Sequence, residues 1–579
     1  MAAAWLLQAL YTSILGSSGL QGGQGGQGGG QVGRNDVYLM ANTSYGTVRG
    51  KVDFTSQVPV AKFYGIPFAK PPTGSLRFKA PVTPDSWNGV RDALTFGNEC
   101  LQQAVPAFTF HNGDMPPRSE NCLYLNVYSP TQGNATGLMP VMVWIHGGGY
   151  TIGSGSQYDA TSLATKGVVM VTINYRLDLF GFLSTEDDAM PGNYGMLDQI
   201  AALKWVKDNI ASFGGNPKAV TIFGESAGSG SVSLLTLSPL AKGLFHRAIM
   251  ESGVSLSPWA IHYPANRVTA RMTARLISVA AECDDLDNST SLLSCLQQVD
   301  AEMLLNVSIA VTNAVDAGII MAPRVETTFG FLPESPVTLL SRGQINHVDT
   351  LRGFNSDEVG GYIPAFIQNP PKPITAEVAK QVIALQLKQF TNLHLQEVLN
   401  LIQSTYVTNN LNSDLLQREA LDAVNSFTFV APTLVELNDV VRTAPEKKHY
   451  MYEFNHRPSF SKAPQWMSAL HGEELLFVFD VQAKVWADSG YGPPNAMDIL
   501  VSQQMMELWT NFAQTGNPTS TVPKGGVMWN QYSPGTPYYL RINSATESKL
   551  WSNPRDVDFY HKLLEKMTGS KKPVFPIIG

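Results

Sequence analysis

Four apolar, strand-like runs in the middle of the chain constrain its fold more than any other feature. The runs are PVMVWI, GVVMVTI, AVTIF and FHRAIM. Such runs are typical of strands that are buried on both faces of a mostly parallel sheet. Between the second and third runs, LDQIAALKWVKDNIASFGG places apolar residues at three- and four-residue steps, which predicts a helix closed by Gly214 and Gly215. Strands that alternate with helices predict an α/β domain.

Segments of different texture flank this central part. Before it, YGTVRGKV and VAKFYGIPFA predict an antiparallel hairpin or meander. From about 264 to 440 the pattern is mainly helical, as in ITAEVAKQVIALQLKQF, and strand-like HYMYEFNH and LRIN follow. A length of 579 residues alone would suggest roughly three or four domains. Because the candidate catalytic residues span most of the chain, we instead expect one domain over residues 37–579.

The N-terminus predicts export from the cell. Residues 1–19 join an apolar stretch to the small residues of a cleavage site, so we expect a signal peptide, with a frayed helix as the alternative. Residues 20–36 are rich in glycine and glutamine and are expected to be a flexible segment. No later apolar run is long enough for a membrane helix, and the ending SKKPVFPIIG resembles neither an anchor nor a retention signal. The sequence therefore predicts a secreted protein without a transmembrane anchor.

Charge and residue spacing disfavour several other functions. The chain has 40 basic and 47 acidic side chains and a formal charge of -7, which gives no support for nucleic-acid binding. Neither C-x-x-C nor H-x-x-x-H spacing occurs, and DDLDNST lacks the glycine and final glutamate of a calcium loop. A G-x-G-x-x-G match lies in the glycine-rich segment, without a strand before it or a helix after it. We therefore predict no metal site and no cofactor.

The four cysteines fit an exported protein. Cys100, Cys122, Cys283 and Cys295 allow three pairings, of which the sequence-local one joins Cys100 to Cys122 and Cys283 to Cys295. The alternative is four buried thiols in a cytosolic enzyme.

Sequons for N-glycosylation are also present. They lie at Asn42, Asn134, Asn288 and Asn306. Chance alone would give roughly three or four in a chain of this length, so they permit glycosylation without requiring it.

The pattern Gly224-Glu225-Ser226-Ala227-Gly228 is the strongest local signal of chemistry. A bare G-x-S-x-G is expected about 0.3 times by chance in a chain of this composition. Here it follows AVTIF and precedes SGSVSLLTL, which can be helical. In such a strand–turn–helix a serine is exposed to substrate as a nucleophile, and the flanking glycines avoid a collision of Cβ atoms with the backbone.

A second glycine turn, His146-Gly147-Gly148-Gly149, directly follows the run PVMVWI. Two backbone N–H groups of this turn, with that of Ala227, are expected to hold the negative oxygen of a tetrahedral intermediate. The alternative is a flexible glycine loop, which the position at the end of a strand disfavours. His146 itself is expected to be held in the loop.

An activated serine needs a base, and His471 stands out among the ten histidines because it lies beside a glycine in the turn-like SALHGEELLFVF. A chain order of serine, acid and histidine leaves every carboxylate between 226 and 471 open as the partner acid. Glu225, Ser252 and Asp198 are candidates for supporting hydrogen bonds, with local structural bonds as the alternative.

Longer blocks resemble a known family. They are FYGIPFAKPPTGSLRF, SENCLYLNVYSP, PVMVWIHGGGY, GNYGMLDQIAALKWVKDNIASFGGNP, VTIFGESAG, SPLAKGLFHRAIMESG, FNSDEVGGY, ALHGEELLFVF and LWTNFAQTGNP. From about Tyr45 to the C-terminal helix the chain resembles the type-B carboxylesterase/lipase (cholinesterase-like) family of the α/β-hydrolase fold, and within it the animal carboxylesterases. The resemblance implies a large, mostly parallel central sheet flanked by helices and helical insertions.

Carried over residue by residue, the resemblance implies a triad of Ser226 as nucleophile, Glu358 as acid and His471 as base. Asp357, next to the implied acid, is expected to be a solvated loop carboxylate.

The resemblance also implies an oxyanion hole and two disulfides. The oxyanion hole would be formed by Gly148, Gly149 and Ala227. The family's two N-terminal disulfides fall on Cys100–Cys122 and Cys283–Cys295, whereas the third pair of the cholinesterases is missing here.

The activity implied is that of a secreted serine esterase that acts on a small-molecule ester through an acyl-enzyme, without a cofactor. The alternatives are a neutral lipase or a carbamoyl-ester hydrolase of the same fold, and, less favoured, a cholinesterase-like or non-catalytic adhesion protein. Between Leu101 and Asn121 the chain has Phe108 and Phe110 but no tryptophan, which disfavours cation–π binding of choline. The ester and the oligomeric state stay open.

Overall fold

The computed structural model describes residues 36–568, apart from 104–115, 132–136, 264–265, 316–317, 363–373, 391–394, 408–411, 483–491 and 523–525. The expected signal peptide and nearly all of the glycine-rich segment lie outside the described residues. So do Phe108, Phe110 and the sequon at Asn134.

One large sheet of thirteen strands organises the described residues. Its strands are β1 (Tyr38–Thr43), β2 (Gly46–Asp53), β3 (Val60–Pro67), β4 (Val90–Asp92), β7 (Tyr124–Pro130), β8 (Met139–Ile145), β9 (Val169–Ile173), β10 (Gly215–Glu225), β11 (Arg247–Glu251), β12 (Asp349–Asn355), β13 (His449–Phe454), β14 (Tyr538–Ile542) and β15 (Glu547–Leu550). The short strands β5 (Glu99–Cys100) and β6 (Arg118–Ser119) pair separately.

The middle of this sheet is parallel. Seven neighbouring strands in the order β9-β8-β10-β11-β12-β13-β14 run in one direction. The four strand-like runs of the sequence form β8, β9, β10 and β11, so the prediction of a mostly parallel central sheet is confirmed. The predicted hairpin is confirmed too, since β2 and β3 pair antiparallel.

Helices flank the sheet. They are α1 (Thr161–Ala164), α2 (Asp178–Phe182), α3 (Tyr194–Asn209), α4 (Ala227–Leu237), α5 (Ala270–Ala280), α6 (Ser289–Leu296), α7 (Ala301–Val315), α8 (Pro336–Arg342), α9 (Ala376–Phe390), α10 (Leu395–Tyr406), α11 (Ser413–Asn425), α12 (Ala431–Thr443), α13 (Leu475–Val478), α14 (Ala496–Thr515) and α15 (Arg555–Thr568). A π-helical turn, Ser426–Val430, joins α11 to α12, and short 3-10 turns lie elsewhere.

Successive side chains of the parallel strands point to opposite faces of the sheet, and both faces are packed against helices. On β8, Val143 and Ile145 join the core cluster that includes residues of α3 and α4. Met142 and Trp144 join the second cluster, which includes residues of α13 and α14. Burying one large apolar side chain completely stabilises a fold by about 1.5 to 3 kcal/mol. These strands are continuously apolar because each face of the sheet packs against its own core cluster.

The helix expected between the second and third runs is α3. It begins at Tyr194 and continues into a 3-10 turn, Ile210–Phe213, before Gly214 adopts a positive φ of 79°. Gly214 therefore closes the helical segment as expected, whereas Gly215 already belongs to β10.

One central strand escaped the sequence pattern. β12 lies between β11 and β13, inside the stretch that is otherwise mainly helical. Its sequence DTLRGFN contains Arg352, which is fully buried and paired with the buried Glu436 of α12 at 2.9 Å. Because a charged residue interrupts the strand, its buried position cannot be recognised without the distant partner.

Two disulfides tie loops to this framework. Cys100 is bonded to Cys122, and Cys283 to Cys295. The pairing is the sequence-local one. Within the part of the chain that the structure describes, no helix is both long and apolar enough to cross a membrane.

Candidate active site

The carboxyl ends of neighbouring parallel strands meet at one edge of the sheet, where open α/β sheets bind ligands. Ser226 follows β10, the glycine turn follows β8, Glu358 lies just after β12, and His471 lies in the segment after β13. The topology therefore brings together residues that are up to 325 positions apart in sequence, from His146 to His471.

Ser226 occupies a tight turn between β10 and α4. Its φ of 55° and ψ of -122° are rare for a residue with a side chain, and such strain costs about 1 to 3 kcal/mol. Its N–H donates to Glu251 O at 2.9 Å, which fixes the turn to β11. A Cβ on Gly228 would lie 2.0 Å from Ile145 O, so the strand–turn–helix needs a glycine there. The serine itself remains partly exposed.

The glycine turn after β8 lies against this serine. A Cβ on Gly147 would come within 3.1 Å of Ser226 Cβ, which measures how closely the two turns approach. Gly148 has a φ of 105° and Gly149 a φ of 61°. No acceptor among the described residues meets the N–H of either glycine. Ala227 is the first residue of α4, where the backbone N–H has no partner within the helix.

His146 is held within this turn, as expected from the sequence. It is fully buried, its Nδ1 is 2.8 Å from Gly147 O, and its ring stacks on Tyr175 at 4.4 Å. Burial lowers the pKa of His146 to about 4, so its ring is neutral at physiological pH.

Glu358 and His471 form a direct pair. Glu358 is fully buried, and its Oε2 lies 2.6 Å from His471 Nδ1. The N–H of Asn355, the last residue of β12, donates to Glu358 Oε1 at 2.7 Å. The N–H of His471 in turn donates to Glu358 O at 3.2 Å. Asn355 therefore fixes one oxygen of the carboxylate, Oε1, and the other oxygen, Oε2, contacts the imidazole.

The opposite nitrogen of His471 faces a second carboxylate. Nε2 lies 3.1 Å from Oε1 of Glu225, the residue before the serine. Ser226 Oγ makes no hydrogen bond to the His471 ring among these described residues. The structure thus brings the predicted serine, acid and histidine to one place, with the histidine turned to Glu225.

The two carboxylates control the charge of the imidazole. Burial alone would lower the pKa of His471, but Glu225 and Glu358 outweigh it and raise the pKa to about 9. Burial raises the pKa of Glu225, while His471 opposes this and Glu358 adds to it. Because Glu225 and His471 each shift the pKa of the other, these two groups titrate as a pair rather than separately.

Two further buried glutamates lie behind this pair. Asn355 Nδ2 donates to Glu474 Oε2, and Trp509 Nε1 donates to Glu251 Oε1 at 2.9 Å. Burial raises the pKa of Glu251 to about 8 and that of Glu474 well above its usual value.

The three candidates for supporting hydrogen bonds separate in the structure. Glu225 faces His471, and Ser252 Oγ is 3.5 Å from Glu474 Oε1. Asp198 instead forms a buried ion pair with Arg176 at 2.7 Å, a local structural bond.

Asp357 differs from its expected role. The sequence predicts a solvated loop carboxylate, but Asp357 is only 1% exposed and accepts hydrogen bonds from Arg418 and from Ser468 N. That prediction is wrong because the positively charged Arg418, 61 residues away, pairs with the carboxylate and covers it.

Aromatic residues that sequence reasoning missed pack around His471. Phe429, on the π-helical turn, lies 4.9 Å from the His471 ring, and Tyr362 lies 6.2 Å from it. Trp259 packs against Phe429 at 5.8 Å, and its Nε1 donates to Thr428 O. No local motif marks these positions, since they come from separate turns.

Comparison with known proteins places this geometry in a family. The model of the carboxylesterase family matches residues 38–560. Carboxylesterase 1C of Mus musculus is 37% identical over 543 residues, which cover 91% of this chain and 93% of that one. Cocaine esterase of Homo sapiens is 40% identical over 474 residues, covering 79% and 80%. The medium-chain fatty acyl-CoA hydrolase precursor of Anas platyrhynchos is 37% identical over 549 residues, covering 92% and 93%.

Proposed function

Because the chain belongs to the carboxylesterase family and is a carboxylic-ester hydrolase, we propose that it works through an acyl-enzyme formed on Ser226. In this proposal His471 is the general base and Glu358 its acid partner. The observation that carries it is the 2.6 Å contact of Glu358 with His471 beside the strained Ser226 turn. The fold is that of the α/β hydrolases, with a large, mostly parallel sheet and flanking helices.

The reaction follows from these positions. Ser226 Oγ attacks the acyl carbonyl carbon while His471 Nε2 takes the hydroxyl proton, and the carbonyl oxygen becomes negative. The N–H groups of Gly148, Gly149 and Ala227 stabilise that oxygen, which can contribute about 3 to 4 kcal/mol for one donor. His471 then gives its proton to the leaving alcohol, and water releases the acid by the same steps in reverse.

Glu225 modifies the first step. Since Nε2 faces Glu225 in the structure, the ring must exchange this contact for the Ser226 hydroxyl before it can act as base. Hydrogen bonds at catalytic sites are often long or misaligned without substrate and tighten in the complex. The histidine therefore has only to turn its outer edge, while Glu358 keeps its Nδ1 in place.

Residues 37–579 form one domain in this proposal, and the protein enters the secretory pathway. Strands of the same sheet come from both ends of the described chain, at β1 and β15, which supports one domain. Disulfides persist in oxidising compartments, so the pairs found here support export through the expected leader 1–19.

Three sequons are positioned for glycosylation in that pathway. Asn42, Asn288 and Asn306 are exposed, so a glycan on any of them would extend into solvent. Asn134 is the fourth candidate.

A fluorophosphonate tests the nucleophile directly. This reagent phosphonylates an activated serine with loss of fluoride, so we expect stoichiometric labelling of the peptide that contains Ser226 and a parallel loss of esterase activity. Ser226→Ala should be folded, unlabelled and inactive, with the loss spanning several orders of magnitude. Ser294→Ala, at an exposed position of α6, is the matched control and should behave as wild type. Labelling elsewhere, or substantial hydrolysis by Ser226→Ala, would overturn the assignment.

A substrate panel separates the enzyme classes. Dissolved short-chain esters should be hydrolysed without an interface, whereas a lipase would be activated by emulsified triglyceride. Absence of both labelling and turnover would favour the non-catalytic alternative.

A further inference from the structure

We propose that Asp357, clamped by Arg418, is a positioning residue that sets the catalytic acid against the catalytic histidine. This inference rests on the proposed function of Ser226, Glu358 and His471. Asp357 touches neither the imidazole nor the serine, so it would act through the two segments that carry Glu358 and His471.

The carboxylate of Asp357 bridges these segments. It precedes Glu358 by one residue, and its Oδ2 accepts from the N–H of Ser468 at 2.6 Å, three residues before His471. The N–H of Asp357 donates to Ala469 O at 2.9 Å, so the bridge runs in both directions. We call the segment Ser356–Glu358 the acid turn and the segment Ser468–His471 the histidine loop. These bonds fix the distance between them next to the catalytic contact.

Arg418 completes the bridge from outside. Its Nη1 donates to Asp357 Oδ1, and its Nη2 lies 3.5 Å from Ser356 O. The Arg418 side chain is 38% exposed, whereas that of Asp357 is 2% exposed. A buried carboxylate without a partner is costly, so the guanidinium allows a charged acceptor to remain at this place. Asp422 holds the other side of Arg418 on the same helix.

Helix α11 makes a second contact with the acid turn. Asn425, its last residue, donates from Nδ2 to Ser356 O at 3.1 Å and accepts from Val359 N at 2.9 Å. The π-helical turn that follows carries Phe429, which packs on the His471 ring. The helix thus contacts Ser356, the first residue of the acid turn, and Val359, directly after it. It also leads into the turn that carries Phe429, which contacts His471.

A positioning role predicts a specific kinetic effect. Small displacements of catalytic groups can lower the rate by about a hundredfold. A less firmly held acid turn weakens the Glu358–His471 contact, while the glycine turn at residues 146–149, which makes no contact with Asp357, stays in place. The turnover number should therefore fall while the Michaelis constant changes little.

The pH profile gives a second readout that a purely structural role would not move. The His471 ring faces Glu358 from the acid turn, Glu225 from the end of β10 and Tyr362 from the turn after Glu358. Weakening the Glu358 contact removes part of the stabilisation of the imidazolium. The acidic limb of kcat/KM should then move to lower pH.

The experiment compares Asp357→Ala, Asp357→Asn and Arg418→Gln in the full-length protein. We expect Asp357→Ala to lower kcat at least about tenfold, with KM within about threefold and a shifted acidic limb. Asp357→Asn should recover part of the loss because its amide oxygen can still accept from Ser468 N. Arg418→Gln should lower kcat less, and combining it with Asp357→Ala should add little.

Matched controls and labelling keep the outcomes distinct. Arg342→Gln removes an exposed arginine that pairs with Glu334 and contacts neither the acid turn nor the histidine loop. This variant should leave kcat unchanged. If wild type is not labelled by the fluorophosphonate, the proposed function fails. The positioning role is overturned if wild type is labelled but the folded variants Asp357→Asn and Arg418→Gln show the labelling rate, kcat and pH profile of wild type. This test holds even if Asp357→Ala does not fold.

Discussion

Oε1 of Glu225 lies 3.1 Å from Nε2 of His471, on the ring edge opposite the Glu358 contact. The imidazole therefore sits between two buried carboxylates, and each of them favours its charged form. The same charges act on the two stages of the reaction in opposite ways. They hold a proton on the base before attack, yet they stabilise the imidazolium that forms during attack.

Glu225→Gln should move the acidic limb of kcat/KM to lower pH. The substitution removes one of the two charges that raise the pKa of His471 to about 9. A base with a lower pKa is deprotonated at lower pH, so the limb should shift down by about one unit or more. The plateau should also fall, because the imidazolium in the transition state loses one stabilising charge. Steady-state rates between pH 5 and 10 measure both effects.

Glu446→Gln is the matched control for this charge change. Glu446 is exposed and pairs with His347, so its substitution should leave the profile in place. An acidic limb that stays where it is in Glu225→Gln, or moves to higher pH, would contradict the role assigned to Glu225.

Gly148→Ala should impair catalysis more than Gly149→Ala. A Cβ on Gly148 would lie 2.2 Å from Ile152 O, so the turn must move and carry its N–H groups with it. Loss of a donor to the developing oxyanion lowers kcat by about 10² to 10³. At Gly149 the nearest atom would be Ile319 Cδ1 at 3.7 Å, and only the positive φ opposes an alanine. Comparing kcat in variants of equal thermal stability tests this order, and a wild-type kcat in Gly148→Ala would argue against the turn as oxyanion hole.

Removing the disulfide between Cys283 and Cys295 should destabilise the protein by about 3 kcal/mol. The bond closes a separation of 12 residues and links the segment after α5 to α6. Urea unfolding of the double variant Cys283→Ser, Cys295→Ser measures the loss, with wild type under reducing conditions as comparison. Mass mapping of unreduced protein should recover this pair and Cys100–Cys122. Free thiols or crossed pairs in exported protein would contradict both the pairing and the export proposal.

Local signals in the sequence were enough for strands β8 to β11 and for the turns that carry Gly148 and Ser226. β8 and β10 are continuous apolar runs that end in glycines, so the strand and the turn are encoded in neighbouring residues. Ser226 and Gly148 could therefore be located without any distant contact. The same holds for α3, whose apolar residues recur at helical spacing, although the folded chain buries most of the helix surface and not one face alone.

The acid could not be found in this way because its strand is disguised. Arg352 interrupts β12 and is tolerated only because Glu436, 84 residues later, neutralises it. Glu358 was implied by the resemblance of the block FNSDEVGGY, and the residues alone left other carboxylates open. The predicted exposure of Asp357 was wrong for the same physical reason, since Arg418 of helix α11 pairs with its carboxylate and covers it. Positions that depend on charge pairing across the fold are not encoded in local pattern.

The last prediction concerns Glu358, whose catalytic role depends on the charge of one carboxylate oxygen. Its Oε2 meets the Nδ1 of His471, and its Oε1 is held by Asn355 N. In Glu358→Gln the amide oxygen can still satisfy Asn355, but the amide NH₂ then faces His471. The ring would be favoured with its proton on Nε2, which is the wrong tautomer for a base that must accept a proton there.

We therefore expect kcat of Glu358→Gln to fall by about two to four orders of magnitude, with KM changed much less. Glu358→Asp should retain more activity, since the charge survives, although the shorter arm cannot reach both Asn355 N and His471. Stopped-flow acylation and steady-state rates, with Glu446→Gln as control, measure these losses in protein of verified folding. If Glu358→Gln turned over at the wild-type rate, the acid would have to be sought among the other buried carboxylates, first of all Glu225 and Glu474.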